Sequence, residues 1–344
     1  MHKPNPISFI HSLARLSLWL GTITSVTCLT LPLPRYAGHA ATGFRGESAL
    51  ADTRKAVSFG ERPSGSEAIQ HLRDWIASEL KPLGGEMSLN SFTGQTPSGP
   101  IAMSNIILKF SGTSGKAIVV TGHYDTKRIP MVHFIGANDA GSSTGFLIEF
   151  ARAVSILKHP DDIYIVFFDG EEALRAEWSD TDSRYGSRHL VAKWGADGTL
   201  SRLRALINID MIGDKDLDLA NDENSSQSLR NMVHQIAADL GYSKFFRRDS
   251  GAIDDDHKPF SDAGVNAIDI IDLDYGPNGS YWHTASDTMD KLSVHSFQVV
   301  GDVILQLVKQ LETAPAAASG LMRGSPRPAH EPQMIAFPAG SRGA

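Results

Sequence analysis

Four short runs rich in Ile and Val constrain the fold of this chain more than any other feature: AIVVTG from Ala117 to Gly122, IYIVFF from Ile163 to Phe168, ALINIDMIG from Ala205 to Gly213, and NAIDIIDL from Asn266 to Leu273. Each is bounded by Gly or charged residues, as buried strands tend to be. Between the first two, Leu147, Phe150, Ala151, Val154 and Leu157 recur at helical spacing. The stretches Leu229 to Leu240 and Phe297 to Leu311 read as further amphipathic helices, and an earlier one from Glu67 to Leu80 is closed by Pro82 and Gly84-Gly85. Strands separated by helices predict an α/β fold with a largely parallel sheet and helices on both faces. No internal repeat is visible.

The two ends of the chain stand apart from this pattern. His2, Lys3 and Arg15 precede an apolar stretch from Leu16 to Leu33, followed by the small-residue site Ala37-Gly38-His39-Ala40, which predicts a cleavable export signal over 1–40. Left uncleaved, the same stretch is near the length of a membrane anchor. The single cysteine, Cys28, lies within it, so the mature chain has neither disulfides nor a catalytic thiol. From Thr313 onward the sequence is rich in Pro, Ala and Gly without period, which predicts a disordered tail over 313–344. A single globular domain is therefore expected over 47–312, in a protein exported to a periplasm or to the medium and not inserted in a membrane after cleavage. A net charge of −7 over 344 residues argues against a nucleic-acid partner.

Polar residues gather where the strands end. The first strand runs into Gly122-His123-Tyr124-Asp125, the second into Asp169-Gly170-Glu171-Glu172, and the third carries Asn208-Ile209-Asp210. The loop before the fourth carries Asp254-Asp255-Asp256-His257, and Tyr281-Trp282-His283-Thr284 comes after it. In such sheets ligands bind outside the carboxyl ends of the strands. Taken singly, His123 reads equally as a core histidine, Glu171-Glu172 as a solvated helix start, and the aspartate run as an exposed loop. Together they converge several carboxylates on one edge, which is costly without a cation, and mixed His and carboxylate donors suit zinc or a similar divalent ion in an open catalytic site.

The motifs GHYDT, ANDAGSSTG, FFDGEEA, NIDMIG, DDHKPF and YWHTASDT resemble those of the zinc aminopeptidase and glutaminyl cyclase superfamily, from about Phe59 to Glu312. That resemblance implies a single domain with a mixed, mostly parallel sheet. It also implies metal ligands in the order His123, Asp139, Glu172, Asp210 and His283, holding one zinc through Asp139, Glu172 and His283, with a second site at His123 and Asp210. Glu172 is then a ligand and its neighbour Glu171 the general acid/base.

Two activities share these ligands. An aminopeptidase hydrolyses the first peptide bond, usually with two metals; a glutaminyl cyclase closes an N-terminal glutamine to pyroglutamate and expels ammonia. DSRYGSRHL (Asp182 to Leu190), Trp178 in the preceding loop, Trp282 beside His283, and Asp255 before Asp-His are similar to the cyclases. The resemblance then implies peptide or protein N-termini as substrates, Asp210 and Asp255 as groups holding the reacting nitrogens, and Trp178 and Trp282 as pocket walls. In two respects the chain departs from the animal cyclases: the Trp178 loop has one additional residue, and IDLDYGPNGSYWH has no clear match to their pocket phenylalanine.

Overall fold

The computed structural model describes residues 43–313. The signal read at 1–40, and the tail read at 313–344 apart from Thr313, lie outside the described residues. In chain order the elements are α1 (Gly46–Val57), α2 (Glu67–Leu80), β1 (Glu86–Thr96), β2 (Gly99–Phe110), β3 (Ala117–His123), α3 (Gly141–Ser155), β4 (Asp162–Phe168), α4 (Tyr185–Ala196), β5 (Leu203–Asp210), β6 (Leu219–Asp222), α5 (Gln227–Asp239), β7 (Phe246–Gly251), α6 (His257–Asp262), β8 (Ala267–Ile271) and α7 (Val294–Thr313). Six strands form one sheet in the order β1-β2-β4-β3-β5-β8. Its four strands β4, β3, β5 and β8 are parallel, and β2 joins β4 antiparallel as the inner arm of a hairpin with β1. The sheet is therefore mixed, with its parallel half built from the four Ile/Val runs.

Those runs lack alternation because both faces of the sheet are covered. Every residue of β3, β4 and β8 is buried. Alternate residues go to different cores. Ile118, Val120, Ile163, Ile165, Phe167, Ile207, Ile268 and Ile270 belong to a large core with residues of α1, α2, α3, α5 and α7. Val119, Tyr164, Val166, Phe168, Leu206 and Ala267 belong to a smaller one with Leu190 and Trp194 of α4 and Phe260 of α6.

Local sequence explains the helices that line the larger core. In α2, Ser66 caps the first turn by accepting from the Ile69 amide at 3.1 Å, and the stripe Ile69, Leu72, Ile76 and Leu80 is buried; removing such a cap costs about 1 kcal/mol. At Gly145 of α3, any Cβ would collide with Thr53 and the Ala49 carbonyl, so α1 and α3 meet backbone to backbone. No helix among the described residues is long and apolar enough to cross a membrane.

The connections place the crevice. The helix after β3 packs on the larger core and the helix after β4 on the smaller one. Successive crossovers thus leave on opposite faces, which opens a cleft outside the carboxyl ends of β3 and β4, where ligands bind in sheets of this kind.

Candidate metal centre and active site

The strand ends and the segments that follow them supply the side chains to that cleft. β3 closes on His123, whose carbonyl accepts from Ser143 Oγ at 2.7 Å. Asp139 stands just ahead of α3, β5 closes on Asp210, and the loop between β8 and α7 supplies His283. After β4 the chain turns at Gly170, with φ of +77° and Met103 so close that a Cβ would lie 2.7 Å from its Sδ. Glycine alone meets both conditions without strain. The turn delivers Glu171 and Glu172, whose amides both donate to the Asp125 carboxylate, at 3.1 and 3.3 Å.

The five side chains meet as two triads that share Asp139, namely His123, Asp139 and Asp210, and Asp139, Glu172 and His283, with donor atoms within 4.8 Å of one another in each. Asp139 Oδ1 lies 3.2 Å from His123 Nε2 and Asp139 Oδ2 3.2 Å from His283 Nε2. Asp210 Oδ1 is 3.2 Å from His123 Nε2, and Glu172 Oε1 is 3.3 Å from His283 Nε2. Zinc bonds of ~2.0–2.1 Å at tetrahedral angles put neighbouring donor atoms roughly 3.3 Å apart, so these separations fit a shared ion. Glu172 Oε1 is also buried without a hydrogen-bond partner, which a cation would satisfy. The nitrogen and oxygen donors suit zinc or a similar divalent metal.

Charge confirms how unusual the cluster is. Burial, with the charges of Glu172, Asp255 and Asp256 added, pushes the Glu171 carboxyl well above the usual carboxylate range against the pull of His123. Burial likewise lifts Asp210 to about 7 despite His123, with Asp255 and Asp139 adding to the rise. At His283 burial disfavours the charge, but Glu172 and Asp139 outweigh it and raise the imidazole to about 9. Burial opposes ionisation of Asp139 too, yet His123 and His283 hold it below the usual range. A bound dication would reverse this balance, keeping the carboxylates ionised and the imidazoles neutral.

Backbone geometry shows how firmly the fold imposes this arrangement. His283 has φ of 52° and Met211, next to Asp210, has φ of 47°. For residues other than glycine such conformations cost of order 1–3 kcal/mol and persist only where the surroundings over-determine them.

Glu171 stands outside both triads, its Oε2 3.8 Å from His123 Nδ1 and its side chain 8% exposed. Trp282 stacks on the His283 ring at 4.3 Å between centroids. Asp255 is buried and accepts from Asn208 Nδ2 at 2.8 Å. Trp178 is 36% exposed and donates its indole N–H to Asp254 at 3.3 Å. A cavity of about 250 Å³ reaches Glu172 and Asp125 and is walled by Pro63, Ile101, Thr126 and Arg128.

Four supporting residues escape a reading by sequence. Asp125 holds the Glu171-Glu172 turn, as given above. Asp287 accepts from the amides of Asn138 and Asp139, at 2.8 and 3.2 Å, and from Tyr275 OH at 2.7 Å. Lys127 Nζ lies 3.5 Å from Glu172 Oε2 and donates to the Ala173 carbonyl at 3.0 Å. Phe134, buried, sets its ring edge-on to His283 at 5.7 Å. Asp125 and Asp287 lie inside the motifs GHYDT and YWHTASDT, which is the available signal; nothing local marks Lys127 or Phe134.

Fold and site together define the class: an α/β enzyme whose carboxylate–imidazole centre, at the ends of parallel strands, is of the kind that holds a divalent cation. The chain belongs to peptidase family M28, whose profile matches residues 105–308. It is 39% identical to a solved glutaminyl cyclase from an Acidobacteriales bacterium, with a TM-score of 0.76, over 82% of this chain and 99% of that one. The glutaminyl-peptide cyclotransferase of Bos taurus is 32% identical over 68% of this chain and 71% of its own length. A zinc-dependent exopeptidase from Parabacteroides distasonis is 29% identical with a TM-score of 0.67, over 77% of this chain and 98% of that one.

Proposed function

We propose that the protein is a zinc-dependent glutaminyl-peptide cyclotransferase, converting the N-terminal glutamine of peptides or proteins to pyroglutamate with release of ammonia. One observation carries the reading above others: the likeness to a solved glutaminyl cyclase at 39% identity spans 99% of that chain. We further propose that the chain is exported by the leader read at 1–40.

In this reading Asp139, Glu172 and His283 hold the zinc. Bound there, the metal supplies Lewis-acid polarisation of the substrate's γ-carboxamide oxygen. Glu171 takes a proton from the substrate α-amine as its nitrogen attacks the carboxamide carbon. The new C–N bond closes the lactam, the bond to the original amide nitrogen breaks, and Glu171 returns the proton so that this nitrogen leaves as ammonia. A buried carboxyl with a raised proton affinity suits both halves of that exchange. Asp210 and Asp255 accept hydrogen bonds from the nitrogens at the reacting carbon. Trp282, packed on His283, and Trp178 wall the site and exclude water, which would otherwise divert the reaction to hydrolysis.

The competing reading is a two-metal aminopeptidase, which would use the same five ligands with His123, Asp139 and Asp210 around the second ion, so the ligand set alone does not separate the two. Mass spectrometry separates the two. Residues 41–344 purified with zinc should convert a Gln-initiated peptide with loss of ammonia and leave a Leu-initiated peptide intact. Release of free Leu would establish a peptidase instead.

A further inference from the structure

The guanidinium of Arg184, between the Glu171 turn and α4, has no part in the chemistry above, yet it is only 4% exposed. Burying an arginine is costly unless every bond it makes is met. Its Nη1 pairs with Asp254 Oδ1, its Nη2 with Asp180 Oδ1 at 2.6 Å, and its Nε donates to Ser183 Oγ at 3.3 Å. The other oxygen of Asp254 accepts the indole N–H of Trp178 at 3.3 Å, and the guanidinium lies 5.8 Å from the Trp178 ring centroid. The Arg184 amide donates to the Glu171 carbonyl at 2.7 Å, and Arg184 itself has φ of 50°. One residue in a strained conformation thus ties together the Glu171 turn, the loop of Trp178 and the loop of Asp254-Asp255.

We propose that Arg184 is a positioning residue for substrate binding: by clamping Asp254, it fixes the indole of Trp178 as a wall of the substrate pocket. This rests on the reading of Trp178 as a pocket wall. Without the guanidinium, Asp254 would lose the ion pair that holds it against Asp180, keeping only the more distant charge of Lys258, and the carboxylate that anchors the indole would be free to turn to solvent. The clamp acts on binding, so its loss raises KM more than it changes kcat.

The test is a double-mutant cycle with Arg184→Gln, close in length to arginine, Arg184→Lys and Trp178→Ala, assayed on a Gln-initiated peptide. Arg184→Gln is expected to raise KM about 10-fold with a far smaller change in kcat, and Arg184→Lys, which keeps the charge, to recover part of the loss. In a Trp178→Ala background Arg184→Gln should add nothing further to KM. The same rise with and without Trp178, or an equal loss in kcat, would overturn the proposal. If Trp178→Ala leaves KM unchanged, the pocket-wall reading falls instead. The clamp itself is read separately, from acrylamide quenching of the fluorescence that Trp178→Phe removes. That quenching should increase in Arg184→Gln, and no increase refutes the clamp.

Discussion

Replacing Glu171 with Gln exchanges one oxygen for an NH₂ group, and the structure says what that exchange should and should not disturb. The backbone of Glu171 is held independently of its side chain, through its amide to Asp125 and its carbonyl to the Arg184 amide. Its carboxyl belongs to neither triad, so both sets of candidate metal donors remain complete. Burial disfavours the charge of this side chain, and a neutral group there gives up attraction to His123 while relieving repulsion from the carboxyls of Glu172, Asp255 and Asp256. What disappears is proton transfer, for which positioned general acid–base groups typically contribute 10²–10⁴-fold, or roughly 3–5 kcal/mol of barrier. Steady-state assays of ammonia release should therefore show kcat reduced by at least about 100-fold, with zinc per chain by mass spectrometry equal to wild type. Retained turnover would sink the assigned role, and loss of zinc would show that the carboxyl belongs to the metal centre after all.

Other perturbations test neighbouring parts of the same argument. Asp287→Asn exchanges one of the oxygens that hold the amides of Asn138 and Asp139 for a group that cannot accept, so zinc affinity in a chelator competition should fall by about 10–100-fold, the usual cost of disturbing a partner that orients a ligand. Arg152 gathers Asp52, Glu79 and the buried Glu149, so Arg152→Met should destabilise the fold by roughly 3 kcal/mol in urea titration; a loss below half of that would show Glu149 adequately neutralised by Arg45. Burial opposes the charge of His159, but the Glu312 carboxylate and the Val154 carbonyl outweigh it and lift its proton affinity above the ordinary value of 6.5. The pair's contribution is thus fully present below pH 6.5 and is lost as pH rises through the lifted value. The stability gap between wild type and His159→Ala should shrink with rising pH, and a gap independent of pH would refute the pairing.

The parallel half of the sheet and most of its helices can be read from the sequence because strands buried on both faces must be apolar throughout. The outer strand of the β1–β2 hairpin is invisible by the same reasoning: β1 reads EMSLNSFTGQT and is largely exposed, so no burial pattern marks it. The stretch DSRYGSRHL stands out by family resemblance rather than as the start of α4, which begins at Tyr185 without a side-chain cap. At the site, His123, Glu172 and Asp210 are legible because they stand at strand ends and His283 because it follows the last strand, whereas Asp139 and the ordered set of five candidate metal donors are legible through the family resemblance. Asp125, Asp287 and Arg184 act by holding backbone or neighbouring side chains. Such partners are chosen by three-dimensional proximity, across 46 positions between Asp125 and Glu171 and 149 between Asp287 and Asn138, so the motifs that contain them mark their neighbourhood but not what they hold.

The division of each central strand between two cores ties evolutionary freedom to chain length. A single residue gained or lost within β3 or β5 would exchange the occupants of the two faces and shift His123 or Asp210 by about one strand step, roughly 3.3 Å, which is the whole spacing between neighbouring side chains of the two triads. Packing and chemistry are read off the same ruler, so neither can be re-registered without the other. Length variation among relatives of this chain should accordingly be excluded from these strands and collect in the connecting loops, where the Trp178 segment offers slack that the sheet does not.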